Sequence, residues 1–330
     1  MNPKVSILIP IYNVSAYIEK CAHSLFKQTF SDIEYVFVND ATPDDSIEKL
    51  INVINLYPDR KNQVKIIQHP VNKGLAVARN SAIDASSGDY IAVVDSDDYI
   101  DPEMIEILYL KAVSENADIV VSDMMMEYSN HTNYVIDYVS DNENEHFKDI
   151  IRNEQSHSFL CDKLVLRHLY ELPECRVPDG LNYYEDRHVA TRLFYFAKKT
   201  VKINRAFYHY VHYNTNAITK SKDRMHFENV IEFWTLLDSF LIEHGEFDKY
   251  KDIINISKVR SKIVLMFDTN SSKLRKEFGT MFIGEQLKCN EYLKTGEKLM
   301  LFFVNNKLYF LAQLYHNLLL IKNKYHFYTK

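Results

Sequence analysis

Through the first 125 residues, short apolar runs alternate with stretches whose apolar positions recur at helical spacing. Val5-Ser6-Ile7-Leu8-Ile9-Pro10-Ile11 is mostly apolar and β-branched, the make-up of a buried strand. Residues 15–28 set Ile18, Ala22, Leu25 and Phe26 three and four apart, which predicts a helix with Ser15 as its N-cap. Strand-like runs follow at 33–38, 64–67, 90–94 and 118–121. Helical patterns separate them at 44–57, at 74–86 and from Asp101, where Pro102 suits a first turn. Residues 127–157 read as a polar loop with an acidic run, Asp141, Glu143 and Glu145, whose ordinary place is a solvated surface. Mixed structure is expected over 158–222. From 225 the spacing of Phe227, Val230, Ile231, Trp234, Leu237 and Leu241 is helical throughout.

This alternation predicts an α/β domain over residues 1–222, with a mostly parallel sheet covered by helices on both faces. A helical C-terminal region, 223–330, follows. In such sheets ligands bind beyond the carboxyl ends of the strands. The polar residues at strand ends therefore become the suspects: Tyr12-Asn13, Asn39-Asp40 and Asp95-Ser96-Asp97-Asp98.

Composition narrows the classes. With 46% hydrophobic and 25% charged residues among 330, the chain can bury a full core. A formal net charge of −6 argues against nonspecific nucleic-acid binding. Cys21, Cys161, Cys175 and Cys289 are scattered without a CxxC pair, the usage of reduced thiols in a cytosol. The first residues enter a strand-like run at once, so no signal peptide is expected, and no apolar run reaches the length of a membrane span. The expectation is a soluble, cytoplasmic protein.

Each suspect has a plain reading beside a chemical one. Asp95-Ser96-Asp97 can hold Mg²⁺ or Mn²⁺ through carboxylate oxygens completed by phosphate, or it is a solvated turn before a helix. Asp40 can accept the imide N–H of a uracil and Tyr12 can stack on the base, or Asp40 is a turn residue ahead of a helix capped by Asp44. Lys73-Gly74 and Arg79 add positive charge and a flexible turn to the same rim, though arginines on helices are common. Glu185-Asp186, opening a helical stretch, compensates a helix dipole by default and otherwise offers a general base.

Taken in order, these segments resemble the family 2 inverting glycosyltransferases of the GT-A fold, of the kind serving bacterial polysaccharide assembly. The resemblance runs through Val5–Asn13, Ser24–Phe30, Val38–Ser46, Asn72–Asn80 and Gly88–Asp98. Cys161-Asp162-Lys163-Leu164, Tyr184-Glu185-Asp186 and Tyr208-His209-Tyr210 look like the family's acceptor-side blocks, so residues 3–220 are covered. That implies a nucleotide-sugar half over 1–125 and an acceptor half over 126–222. It implies a UDP-sugar donor with Mn²⁺ or Mg²⁺, and Tyr12 and Asp40 on the uracil. Asp95 is then on the ribose, with Asp97 on the metal and Asp95 next to it as a second ligand. Arg79 is on the phosphate and sugar side, Pro10, Asn13, Lys73, Gly74 and Ser96 lie along the same donor rim, and Asp186 is the catalytic base with Glu185 beside it. His209 or His212 either approaches the diphosphate or packs as an aromatic loop residue.

The chain departs from that pattern in two places. Asn39 stands where the family usually has the first Asp of Asp-Asp-Gly-Ser, and Ala41-Thr42 replace Gly-Ser. The Gln-x-x-Arg-Trp box of processive synthases is missing, since the one tryptophan, Trp234, follows Ile231-Glu232-Phe233. Transfer of one or a few sugars to a glycan or lipid-linked acceptor is expected. A sugar nucleotidyltransferase and a non-catalytic sugar-nucleotide-binding scaffold are the alternatives. The tail, 298–330, is aromatic and carries five lysines and no acid, which fits peripheral membrane contact or a packed helical pair.

Overall fold

In the computed structural model, which describes residues 2–153, 156–214, 224–269 and 271–327, the first apolar runs become strands. They are β1 (Val5–Ile11), β2 (Ile33–Asn39), β3 (Val64–Gln68) and β4 (Tyr90–Val93), parallel and in the order β3-β2-β1-β4. The sheet then changes character. β8 (Lys163–Leu166) lies antiparallel between β4 and β6 (Ile119–Glu127), while β9 (Thr200–Val211) runs parallel to β6. The two-residue β5 (Tyr99–Ile100) pairs antiparallel with β9 and ends the row, and β7 (Thr132–Val135) pairs with β6 off it.

Strand alternation sends Val5, Ile7, Ile9 and Ile11 of β1 to one face, where they share a core with Ile33, Tyr35 and Phe37 of β2. Helices α1 (Ile18–Phe26), α2 (Ser46–Asn55) and α4 (Met104–Glu115) close over that core with Leu25, Leu50 and Leu108. Helix α3 (Leu75–Ala85) packs on β1 and β2 with the small residues Ala76, Ala78 and Ala82 buried. Gly88 enters β4 where a Cβ would stand 2.6 Å from the Ser6 backbone nitrogen, so no side chain fits.

Three sequence expectations need correction. Residues 127–157 are not simply loop: they hold β7 and helix α5 (Glu143–Arg152), whose buried Phe147, Ile150 and Ile151 are an apolar stripe diluted by polar neighbours. Ser15 does not cap α1, because its N–H donates to Asp44 Oδ2 at 2.9 Å and its hydroxyl to Asp45, tying it to the loop before α2. Asp44 likewise stays in that loop, accepting from Thr42 and Ser46, and α2 starts at Ser46. Two short helices, α6 (Arg167–Tyr170) and α7 (Glu185–Phe196), complete the unit 1–217.

The second unit, 218–330, is helical: α8 (Arg224–Glu243), α9 (Phe247–Asp268), α10 (Ser272–Gly279), α11 (Ile283–Cys289), α12 (Thr295–Asn305) and α13 (Tyr309–Phe327). Trp234 is a core residue here, its indole N–H donating to Ser261 Oγ at 3.3 Å. The boundary expected at 222/223 falls within 215–223, outside the described residues. No described helix is long and apolar enough to cross a membrane.

Candidate active site

The carboxyl ends of β1, β2 and β4 deliver the expected polar residues to neighbouring positions. β1 pairs with β4 only as far as Leu8↔Val93, so Pro10 lies past the last register pair, where a missing N–H costs no ladder bond to β4. Tyr12 follows at the rim, 46% exposed. Asn13 takes a left-handed φ of 55°, and its N–H donates to Thr42 Oγ1 at 2.8 Å, joining the loops after β1 and β2.

Asp40 is buried and heavily engaged. Its Oδ1 accepts from the Lys73 N–H at 2.8 Å and from His69 Nδ1 at 2.7 Å, and its Oδ2 accepts from the Gly74 N–H at 2.8 Å. A carboxylate only accepts, so His69 carries a proton on Nδ1, while its Nε2 meets Ser81 Oγ at 2.9 Å. Asp40 thus pins the turn that leads into α3. Gly74 needs to be glycine there: φ is +89°, and a Cβ would meet Asn182 Oδ1 at 2.6 Å. That same Asn182 oxygen accepts from the Ala76 N–H in the first turn of α3. Lys73 itself stays exposed.

Arg79, on α3, connects two separate parts of the sequence. Its Nη2 donates to Asp95 Oδ1 at 3.1 Å, while its Nη1 donates to Glu185 Oε1 at 2.8 Å and to Asp186 Oδ1. Three carboxylates on one buried guanidinium hold it charged, and its Nε is buried with no partner among the described residues. Burial pushes the carboxyls of Glu185 and Asp186 above their usual range, with Arg79 opposing the rise. The pair differs in access: the Asp186 side chain is 24% exposed and that of Glu185 only 11%. Both open α7, whose first turn favours acids.

Beyond β4, the acids of Asp95-Ser96-Asp97-Asp98 separate by role. Asp98 is structural, accepting from the Tyr208 hydroxyl at 2.6 Å and the Val211 N–H at 2.6 Å, and so fastens β9 to this turn. Ser96 is buried between the acids. Asp97 is pushed up to about 6, first by burial and then by the charge of Asp95, against the Asn214 Nδ2 donor at 2.7 Å and its own backbone N–H. A raised carboxylate beside another is short of positive charge. Among the described residues no group of three metal-ligating side chains gathers. Asp97 with Asp95 therefore suits a cation that takes its remaining ligands from phosphate and water, as Mg²⁺ and Mn²⁺ do.

The histidines resolve on the packing side for His209. Its Nδ1 meets Glu127 Oε1 at 2.8 Å, its Nε2 meets Asp101 Oδ1 at 3.1 Å, and its ring stacks on Tyr99. His212 lies against Tyr128 with ring centroids 4.5 Å apart.

The family model described as "Glycosyl transferase family 2" matches residues 6–168. The chain belongs to glycosyl transferase family 2. This glycosyltransferase is 28% identical over 285 residues to the putative glycosyltransferase EpsH of Bacillus subtilis (strain 168), covering 84% of this chain and 80% of EpsH. Its fold matches S. aureus TarS 1–349 in complex with UDP-GlcNAc, with a TM-score of 0.72 at 17% identity over 95% of this chain and 90% of that one. A mannosyltransferase from Pyrobaculum calidifontis in complex with GDP-Man and Mn²⁺ shares it more loosely, with a TM-score of 0.54 at 12% identity over 96% and 88%.

Sequence reading of this glycosyltransferase missed Asn214, His69, Asn182 and Tyr208 as partners of the rim. Asn214 reaches Asp97 across 117 positions. Tyr208 was visible in Tyr208-His209-Tyr210, but only pairing of β5 with β9 shows that its hydroxyl, and not His209, turns to the acids.

Proposed function

We propose that this glycosyltransferase moves a hexose or N-acetylhexosamine from a UDP-sugar to a hydroxyl of a glycan or lipid-linked acceptor, with inversion and without processivity. The observation that carries this reading is the Arg79 bridge, which sets the Asp95-Ser96-Asp97 turn and the Glu185-Asp186 pair on one rim. Donor-side and acceptor-side chemistry then share a centre.

Tyr12, exposed at the rim, stacks on the uracil. Three of about four acceptor positions on Asp40 are filled, which leaves one on Oδ2 for the imide N–H. Asp95 takes the ribose, and Arg79, Lys73 and the Gly74 turn face the phosphates. Asp97 and Asp95 would hold Mn²⁺ or Mg²⁺, and such a cation would neutralise charge on the departing diphosphate. Asp186, the more open carboxylate of the pair, takes the proton of the acceptor hydroxyl as its oxygen attacks the anomeric carbon. One carbon–oxygen bond forms, the bond to the diphosphate breaks, and UDP leaves. Burial raises the Asp186 carboxyl, and the Arg79 guanidinium on it opposes that rise, favouring the carboxylate form that accepts the proton. A site on the cytoplasmic side, serving polysaccharide assembly, fits this donor.

The test is a panel of nucleotide sugars with Mn²⁺, followed for nucleotide release with and without glycan acceptors. UDP release that rises with acceptor supports the reading. Pyrophosphate formed from UTP and a sugar phosphate would make the protein a nucleotidyltransferase, and binding without turnover would make it a scaffold.

A further inference from the structure

The C-terminal helices carry an apolar face that stays exposed among the described residues. In α13, Phe310, Leu314 and Leu318 recur every four residues with Leu311 among them, and they are 79%, 48%, 55% and 40% exposed. Ala312 of the same helix is buried, so α13 has an inner side already satisfied by packing. Its packing partner α12 adds Phe302, 56% exposed. Single exposed apolar residues are ordinary on a surface, whereas a contiguous row marks a place of contact.

Charge selects what covers it. Residues 298–330 contain Lys298, Lys307, Lys322, Lys324 and Lys330 and neither Asp nor Glu, in a chain of formal net charge −6. A second copy seated on this face would set two cationic segments against each other. A lipid surface bearing negative headgroups matches both features, the apolar row by its exposure and the segment by its positive charge.

We propose that α12 and α13 form a docking surface for an anionic bilayer, with Phe310, Leu314 and Leu318 entering the headgroup boundary. The inference stands on the second unit alone and does not depend on the proposed reaction. It makes the protein a peripheral one, held by shallow insertion and charge.

The experiment is co-sedimentation of the full chain with vesicles of phosphatidylcholine alone or mixed with phosphatidylglycerol. The chain should bind the mixed vesicles and release them as salt is raised. Phe310→Asp, Leu314→Asp and Leu318→Asp together should lower partitioning by about tenfold or more, and so should Lys298→Glu with Lys307→Glu. Circular dichroism and thermal melts matching the unaltered chain confirm that these variants fold. Equal binding by the triple variant, or equal binding to phosphatidylcholine alone, overturns the proposal. So does a vesicle-free dimer by light scattering that the triple variant converts to monomer.

Discussion

Gly74 shows how closely the rim is built. Its φ of +89° and the 2.6 Å approach to Asn182 Oδ1 both exclude a Cβ, and its N–H is one of three donors on Asp40. Gly74→Ala should therefore cost about 1–3 kcal/mol of stability and weaken UDP binding, read by urea denaturation and by titration with UDP. Unchanged values in both would mean that the turn is not held as described. At Asp186 the expectation separates binding from chemistry. Asp186→Asn keeps the size of the side chain and removes its basicity, so kcat should fall by about 100-fold or more while UDP affinity stays nearly the same. Lost UDP binding, or retained turnover, would remove Asp186 from the role of base. Gly74 and Asp186 could be nominated from sequence through the family resemblance, since neither stands at a strand end: one leads into α3 and the other opens α7. Their bonds could not, since Arg79 reaches Glu185 across 106 positions and Asp97 reaches Asn214 across 117.

The junction of β4 with the acidic turn sets a pH dependence. Asp97, at about 6 in the folded protein, binds its proton more tightly than an ordinary Asp of an unfolded chain. Stability linked to this group is therefore greatest below the unfolded value and declines as pH rises through about 6. A bound cation reverses that loss by favouring the carboxylate. Mn²⁺ should raise the melting temperature clearly at about pH 7.5 and much less at about pH 5, and Asp97→Asn should abolish the difference. An equal shift at both pH values would contradict a cation on Asp97. At this scale the alternation of β1 through α4 was legible because both its periods are strong. β7 and α5 were not, since polar residues interrupt their apolar positions, and the two-residue β5 has no local signature at all. Nor did sequence show that β8 would run antiparallel to β4, because direction is set by chain path and not by composition.

At the scale of the whole molecule, a parallel start and a mixed continuation bring the turn after β4 and the first turn of α7 to one rim, joined through Arg79. The α/β class and the family were readable in order-specific motifs, while the helical unit was readable only as helices. Trp234 illustrates the limit: it is a core residue on Ser261, a packing that only the fold could reveal. With no Gln-x-x-Arg-Trp box, products should carry one or a few added sugars, and mass spectrometry of acceptor after prolonged turnover checks it. A long ladder of additions would reject the non-processive reading. The most direct measurement is the anomeric configuration of the first product, read by proton NMR coupling at the new linkage. An α-linked UDP-sugar should give a β-linked product if Asp186 deprotonates the acceptor for a single displacement. A product retaining the donor's configuration would contradict that mechanism.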